Sequence, residues 1–340
     1  MTRRAYLGIL AVLIVLLSLA ILASLGMGAV RLRLSETIQV LLSLFTGRKE
    51  GIATTIVLDL RLARTLLAAA VGVSLAVSGT AFQGFFRNPL ADPYVIGASS
   101  GAALGAALAI VFGAPQFSAF STPALAAFVG ALAAVGLAFF VSRVAGDPPP
   151  AAALLLAGTA LSSLFSAALS LVLVVKDKDM ARVYYWLLGG FGGTGWSDLI
   201  AVGPVMLLGC LIVTVASRPL DLLSFGEEQA GSLGLDVKRS RAIIAAGASL
   251  AAAAAVSAAG IIGFVGLVAP HAARLIVGPS HKRLIPAAAL TGALLVVLSD
   301  VVARTAASPL ELPVGIVTSA VGAPFFLYLL ARKAKGLGRS

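Results

Sequence analysis

The sequence predicts an all-α, polytopic membrane protein with about ten transmembrane helices. Hydrophobic residues make up 59% of the 340 residues, charged residues only 11%, and the mean hydropathy is +1.04. A soluble domain carries about 25% charged residues, whereas a membrane-spanning helix needs roughly 20 apolar ones. The 36 glycines suit helices that pack closely through small residues. We therefore expect a single transmembrane domain, residues 1–340, without a sizeable soluble domain.

Charged clusters, prolines and glycines separate the apolar runs, as expected where helices end in water. The first run follows Arg3 and Arg4 and is too long for a signal peptide, so we expect it to remain as a span. The ten predicted spans are 5–26, 65–86, 94–112, 122–141, 151–175, 199–216, 242–259, 261–277, 286–302 and 313–330.

Glycines mark two places where the chain should pack tightly or turn. Gly97, Gly101 and Gly105 recur every four residues along the third span, which lets a neighbouring helix approach one face. A short amphipathic piece, 181–188, leads into the glycine-rich run 189–193. That run is either a hinge or a close-packed turn.

Basic residues predict the orientation of the spans. With the N-terminus inside, fifteen of the 25 Lys and Arg residues lie on the cytoplasmic side, in keeping with the positive-inside rule. The basic tail 332–339 then also lies inside, so both termini are expected in the cytoplasm. The net charge of +11 thus sets topology and does not indicate a nucleic-acid partner.

The segment 222–236 (LLSFGEEQAGSLGLD) holds the adjacent acidic residues Glu227 and Glu228 between two apolar runs. Unpaired carboxylates are costly in hydrocarbon, so this segment must lie in water or against a soluble partner. Composition alone favours a solvated loop. The alternative is a docking surface for a cytosolic protein, which the predicted cytoplasmic location permits.

Charged residues near the outer ends of two spans have two interpretations. Arg61 and Arg64 lie three residues apart, and Arg304 follows Asp300 by four. An arginine at the helix centre costs about 2.5–3.5 kcal/mol, so these side chains should reach the interface or form pairs. They are either interfacial anchors, with Asp300 and Arg304 paired within their helix, or a basic patch that receives an acidic partner.

Two proline-containing turns are expected to be structural on residue type alone. The run 88–93 (NPLADP) places two prolines between helices on the cytoplasmic side, where proline stops helices and restricts the residue before it. Pro270 and His271 suggest a similar turn, because a lone histidine beside a proline is more often structural than a ligand.

Several kinds of site are excluded or unsupported by the sequence. None of the seven lysines follows a glycine, so a phosphate-binding P-loop is absent. Cys210 lies in an apolar run, and His271 and His281 are too few for a histidine cluster. We expect this chain to bind no metal or cofactor and not to be an enzyme. ATP-driven transport would require a second chain.

Long motifs in the chain resemble those of the permease subunits of ABC importers for iron chelates, haem and vitamin B12 (the FecCD-like, type II importers). The run RLARTLLAAAVGVSLAVSGTAFQGFFRNPLADPYVIGASSGAALGA carries most of the likeness. The matching motifs cover 61–106, 184–193, 217–235, 260–278 and 299–330. They follow the family's order along nearly the whole chain, and the fold is expected to be vitamin B12 permease-like.

The resemblance implies a complete transport assembly in the cell inner membrane. It implies a homodimer with ten helices per subunit, two ATP-binding subunits that use ATP and Mg, and an extracytoplasmic substrate-binding protein. A metal chelate, either ferric siderophore, haem or cobalamin, would be imported by alternating access. The ion-coupled secondary transporter is the alternative, and it would rest on Asp300 as the only acid deep in the second half of a span.

The resemblance also assigns roles to particular residues. Its ATPase-coupling helices correspond to 222–236, with Leu222, Phe225, Gly226, Glu227, Glu228, Ser232, Leu233 and Gly234 at the contact. Its binding-protein docking arginines correspond to Arg61, Arg64 and Arg304. Its cytoplasmic gates correspond to Asn88, Leu90, Ala151 and Ala152.

Two departures from the family pattern weaken parts of this assignment. The vitamin B12 permease has hydroxyl residues where this chain has Ala151 and Ala152, so the gate there lacks polar groups. Ala63 stands where the family usually has proline, which leaves the start of the helix less fixed.

Overall fold

The computed structural model describes residues 1–28, 32–46, 51–113, 121–146 and 148–337, and within these ranges the chain is helical without β-strands. The all-α prediction is confirmed. The helices are α1 (Arg3–Gly26), α2 (Leu34–Thr46), α3 (Ile52–Thr54), α4 (Ala63–Phe85), α5 (Ala98–Val111), α6 (Thr122–Ser142), α7 (Ala151–Val175), α8 (Met180–Leu187), α9 (Trp196–Val215), α10 (Ser217–Leu223), α11 (Glu227–Ser232), α12 (Val237–Ala259), α13 (Val265–Val277), α14 (His281–Thr305) and α15 (Val314–Leu337).

Each of the ten predicted spans corresponds to one apolar helix in the described part of the chain. Seven helices are long and apolar enough to cross a membrane: α1, the continuous helix Ile52–Phe85, α6, α7, α9, α12 and α14. Three are shorter, namely α5, α13 and the apolar part of α15 (Val314–Leu329). The prediction of about ten spans is therefore confirmed. The last two residues of the predicted basic tail (332–339) lie outside the described residues.

Backbone conformation explains where the helix boundaries differ from those predicted. Helix α5 begins at Ala98 because Gly97, with φ 92°, adopts a left-handed conformation that ends the preceding turn. Helix α13 begins at Val265 because Phe264 is left-handed, with φ 65°. Conversely, a π-helical stretch (Thr55–Leu62) joins α3 to α4 and extends the second span outward. Arg61 and Arg64 therefore lie on a helix, as required for a shared face.

Helix α4 lies at the centre of the bundle, packed against α9, α12, α13 and α14. Glycines allow these backbones to meet. A Cβ added to Gly72 would lie 2.3 Å from the Gly292 carbonyl oxygen on α14, and one on Gly79 would lie 1.8 Å from that of Gly266 on α13. Only glycine fits such contacts. Helix α4 therefore packs in the core of the bundle through small residues rather than large ones.

Helices α5 and α6 form a second tightly packed pair. A Cβ on Gly101 would lie 2.3 Å from the Gly130 carbonyl oxygen, and one on Gly105 would lie 2.2 Å from that of Ala126. The predicted close approach at Gly101 and Gly105 is thus confirmed. Gly97 instead occupies the left-handed residue before the helix.

Several helices keep wide apolar faces uncovered. Of the most apolar window of each helix, only 11% is buried in α1, 6% in α7 and 28% in α9, compared with 78% in Ile52–Phe85. Leu164 and Leu171 on α7 and Val215 on α9 are more than half exposed. These surfaces must contact lipid or another chain.

The close contact at Gly79 predicts a large effect from a single methyl group. Gly79→Ala should lower the thermal unfolding temperature of the detergent-purified protein, because overpacking costs about 1–3 kcal/mol and the obstacle here is rigid backbone. Gly8→Ala on α1 is the control, since an added Cβ there meets no atom within 4 Å. Equal unfolding temperatures for the two variants would contradict the close contact.

Candidate functional sites at the outer and cytoplasmic ends

A network of charged side chains joins α4, α14 and the connection before α15 at the end of the bundle that is predicted to be the outer one. Arg64 donates from Nε and Nη2 to Asp300 Oδ1 at 3.0 and 2.8 Å, and from Nη1 to Glu311 Oε2 at 2.9 Å. Arg304 Nε lies 3.0 Å from Asp300 Oδ2. Because Asp300 is 1% exposed, its charge is compensated by the two guanidinium groups rather than by water.

The other nitrogens of this cluster hold the outer end of α1. Arg304 donates from Nη2 to Ser24 Oγ at 2.7 Å and from Nη1 to the Met27 carbonyl at 3.2 Å. Arg61 Nη1 donates to the Leu25 carbonyl at 2.7 Å. The last carbonyls of a helix lack intrahelical partners and carry partial negative charge, which suits arginine. The two arginines thus fix α1 to the bundle.

The structure brings the three predicted docking arginines together and gives each of them partners within the chain. Arg61 is 7% exposed and Arg304 is 5% exposed. The expected pairing of Asp300 with Arg304 is present, and it agrees with the interpretation of these residues as anchors. Sequence reasoning missed Glu311, because nothing in its sequence neighbourhood marks a contact with a residue 247 positions away. The docking role of these arginines stays a prediction.

The outer charge cluster borders a cavity of about 500 Å³. Arg64 and Glu311 contribute its charged edge, and Tyr185 and Trp186 of α8 its aromatic edge. The remaining wall includes the glycine-rich run 189–193 and the end of α12. The cavity therefore combines aromatic, backbone and charged groups at the outer mouth of the bundle.

The glycine-rich run at this cavity is a close-packed turn, the second of the two predicted alternatives. Gly189 has φ 67°, and an added Cβ would lie 2.4 Å from the Ile261 carbonyl oxygen. Gly190 N–H donates to the Ala259 carbonyl at 2.8 Å. The turn after α8 is thus attached to the connection between α12 and α13.

At the opposite end of the bundle, which is predicted to be the cytoplasmic one, the segment 222–236 contains the end of α10, helix α11 and their connections. Gly226, with φ 116°, reverses the chain between the two helices. Glu227 Oε1 accepts a hydrogen bond from Arg241 Nη1 of α12 at 2.5 Å, and the Arg241 guanidinium lies 4.6 Å from the centroid of the Phe85 ring. Glu227 therefore anchors α11 to the bundle.

The outward side of this segment carries the other predicted coupling residues. Phe225 is 66% exposed and Leu233 is 65% exposed. Glu228, Ser232 and Gly234 are also exposed. Phe225 and Leu233 thus expose large apolar side chains just before and just after the anchored helix α11.

Asp221 anchors α10 to the bundle, and this contact was not predicted from the sequence. Asp221 Oδ1 accepts a hydrogen bond from the His281 backbone N–H at 2.8 Å, and the same oxygen lies 2.7 Å from His281 Nδ1. Ser280 Oγ lies 3.2 Å from the other carboxylate oxygen. The carboxylate thus binds α10 to the start of α14, which is 60 residues away and carries no local signal of the contact.

The predicted gate residues Asn88 and Leu90 form a side-chain-capped turn after α4. Asn88 Oδ1 accepts a hydrogen bond from the Leu90 N–H at 3.0 Å, and Asp92 Oδ1 accepts one from the Tyr94 N–H at 2.9 Å. Burial raises the pKa of the Asp92 carboxyl to about 6, and the hydrogen bond from Tyr94 opposes this shift. Both acceptors stabilise turns of the Asx type.

The predicted gate turn (88–93) and the predicted coupling segment (222–236) share one hydrophobic cluster. Phe86, Leu223 and Ala230 are buried in it, and Leu222 and Ala151 pack against it. The Arg87 Nη1 atom lies 3.6 Å from the position that a Cβ on Gly226 would occupy. Ala152 is exposed. The end of α4 thus lies beside Gly226, and Ala151 at the start of α7 packs against the same cluster.

Comparisons with known proteins agree with this architecture. A sequence profile of the FecCD transport family matches residues 16–332. The cobalamin import system permease protein BtuC of Halobacterium salinarum is 46% identical over 278 residues, covering 82% of this chain and 74% of the relative. The hemin transport system permease protein HmuU of Yersinia pestis is 39% identical over 333 residues, covering 97% and 96%.

Two solved structures are also similar to this chain. An inward-facing metal-chelate type ABC transporter is 34% identical, with a TM-score of 0.83 and coverage of 96% of this chain and 99% of that one. PsaBC from Streptococcus pneumoniae in complex with Fab, at 19% identity and a TM-score of 0.55, shares the fold.

The helical bundle and its relatives define this chain as the transmembrane permease subunit of an ABC transport system. More particularly, the chain belongs to the FecCD transport family. The resemblance stated from the sequence motifs is confirmed.

The buried outer cluster predicts that Arg304 is required for stability. Arg304→Gln should lower the unfolding temperature strongly, because removing one partner of a buried pair costs about 3–5 kcal/mol. Arg182→Gln is the control. The Arg182 side chain pairs with Asp179 but is 73% exposed, and exposed ion pairs contribute only about 0–1 kcal/mol to stability. Thermal unfolding in detergent measures both. Similar small shifts would show that the cluster is not structural.

Proposed function

We propose that this permease imports a metal chelate, either a ferric siderophore, haem or cobalamin, across the cell inner membrane by alternating access. Relatives named for cobalamin, hemin and Fe(3+)-citrate import support this substrate class. The surface that carries the proposal is the exposed pair Phe225 and Leu233, held by the Glu227–Arg241 anchor. A rigidly mounted apolar patch on the cytoplasmic side fits a groove in an ATP-hydrolysing subunit.

Two ATP-binding subunits use ATP and Mg in this proposal, and the present chain performs no hydrolysis itself. Their motion pushes α10 and α11, which share a hydrophobic cluster with the gate turn. Asn88 and Leu90 in that turn, with Ala151 and Ala152 at the start of α7, then open or close the cytoplasmic end. The orientation rests on the positive-inside bias and places both termini in the cytoplasm.

A second copy of the chain completes the path. Helix α7 is hardly covered within one subunit, and Thr159, Ser163, Ser166 and Ser170 recur at intervals of four, three and four residues along it. All four are exposed, and such a polar face suits a water-filled path better than lipid. In the homodimer this face of α7 lines the central path, with the outer cavity of about 500 Å³ above it.

Reconstitution tests the function directly. The permease is co-expressed with the ATPase subunits, placed in proteoliposomes and supplied with a loaded binding protein. We expect uptake of cobalamin, haem or ferric chelate only when ATP is present. Uptake driven by an ion gradient through this chain alone would instead establish a secondary transporter.

The coupling surface predicts a selective loss of ATPase binding. Phe225→Ala combined with Leu233→Ala should reduce ATPase co-purification at least tenfold, because central apolar residues supply most of an interface's binding energy. The unfolding temperature should stay unchanged, since both side chains are exposed. Leu310→Ala, an exposed leucine on the outer side, is the control. Undiminished co-purification of the ATPase would show that the segment 222–236 is a solvated loop rather than a docking surface.

The docking role predicts that Glu311 restrains Arg64. A carboxylate of the substrate-binding protein must compete with Glu311 for Arg64 Nη1, so Glu311→Gln should tighten binding of that protein severalfold. The affinity should also depend more steeply on salt. Glu36→Gln, another exposed outer carboxylate, is the control. If affinity and salt dependence match the control, Arg64 does not receive the partner.

A further inference from the structure

Three helices meet at the start of α14, where α10 packs against both α14 and the end of α4. A Cβ added to Gly84 on α4 would lie 2.7 Å from His281 Nε2 and 2.9 Å from Leu220 Cδ2. Both of these side chains are buried. The His281 ring therefore packs directly on the backbone of α4, and the absence of a side chain at Gly84 leaves room for it. We call the contact among Gly84, Asp221, Ser280 and His281 the α10–α14 joint.

Asp221 of α10 holds two consecutive residues at the start of α14. Its Oδ1 atom accepts a hydrogen bond from the His281 backbone N–H at 2.8 Å and lies 2.7 Å from His281 Nδ1. Ser280 Oγ donates to Oδ2 at 3.2 Å. An ionised carboxylate only accepts hydrogen bonds, so His281 Nδ1 carries the proton in this contact. One side chain of α10 is thus held by three donors of its neighbour.

The joint supplies α14 with a cap from another helix. Ser280 occupies the N-cap position of α14, but its side chain makes no capping hydrogen bond. The backbone N–H of His281, the first residue of the helix, is instead satisfied by Asp221. Asp236 shows the usual local arrangement, since it accepts a hydrogen bond from the Arg239 N–H within its own helix. Because its cap comes from α10, the start of α14 depends on where α10 lies.

Helix α14 connects this joint to the outer charge cluster. His281–Thr305 is a single helix that packs against α4 and α13. Near its other end it carries Asp300 and Arg304, and Asp300 is also paired with Arg64. The residue that meets α10 and the residues predicted to meet a binding protein therefore belong to one helix. Densely packed helices shift between discrete arrangements rather than deform, which suits transmission along α14.

We propose that Asp221 and His281 are positioning residues that make α10 move together with α14. Through them, α14 is the path by which a docked binding protein stimulates ATP hydrolysis in the partner subunits. This inference rests on the proposed function, because it needs a binding protein at the outer arginines and an ATPase at 222–236. Neither residue touches substrate or nucleotide. The His281 side chain is 3% exposed and acts only through its contacts with α10 and α4.

ATP hydrolysis by the complete assembly in proteoliposomes, measured with and without the loaded binding protein, tests the proposal. Asp221→Ala should lower the stimulation by the binding protein roughly fivefold or more, in the range of ordinary coupling between sites. The basal rate, the co-purification of the ATPase and the half-saturating concentration of binding protein should stay unchanged. A purely structural defect would instead lower the basal and the stimulated rates together.

Two matched variants separate the joint from charge and from position. Asp221→Asn removes the same charge but keeps an oxygen acceptor for His281 and gains a donor for Ser280 Oγ, so it should retain most of the stimulation. Lys282→Ala changes the exposed neighbour of His281 and should behave as the wild type. Ser280→Ala removes only one contact of the joint and should give an intermediate loss. This mild variant decides the outcome if Asp221→Ala does not assemble.

The wild-type assembly is measured first, so that two kinds of failure can be told apart. A wild type without ATP-dependent uptake would refute the proposed function and the joint with it. With a stimulated wild type, full stimulation in Asp221→Ala, or in Ser280→Ala if the former does not assemble, would overturn the joint alone. Loss of ATPase co-purification in Asp221→Ala, or an Asp221→Asn variant as defective as Asp221→Ala, would also overturn it.

Discussion

The backbone contacts between α4 and its neighbours are the constraint on which the rest of this structure depends. Lipid provides no hydrophobic force that brings helices together, so their association depends on close packing and on compensated polar groups. Gly72 against Gly292 and Gly79 against Gly266 bring α4 to backbone contact with α14 and α13. This contact positions Arg64 beside Asp300 at the outer end. At the other end it positions Phe85 under the guanidinium of Arg241.

The charges at both ends of the bundle act mainly within the chain. At the outer end, Asp300 is compensated by Arg64 and Arg304, and Arg304 also donates to the Met27 carbonyl at the end of α1. At the cytoplasmic end, Arg241 holds Glu227. Because arginine offers several donors in a fixed geometry, one side chain can join two helices and still have a donor left.

Helix α12 connects the two ends. Its first turns hold the coupling segment through Arg241, and its last residues form part of the outer cavity and accept a hydrogen bond from the glycine-rich turn. Its middle is almost entirely buried alanine. A rigid, densely packed helix suits the transmission of a displacement, because packed cores shift between discrete arrangements rather than deform continuously.

The sequence by itself determined the class of this protein. Hydropathy predicted about ten spans and the motifs identified the family, because each of these signals is local. The positive-inside bias, also a local signal, predicts a cytoplasmic location for 222–236. The partners of the charged residues were decided only by the tertiary structure. Arg64 meets Glu311 and Arg304 meets Ser24 across 247 and 280 positions, and Glu227 faces inward while its neighbour Glu228 faces out. Sequence shows that a buried charge needs compensation, but only helix packing selects the residue that provides it.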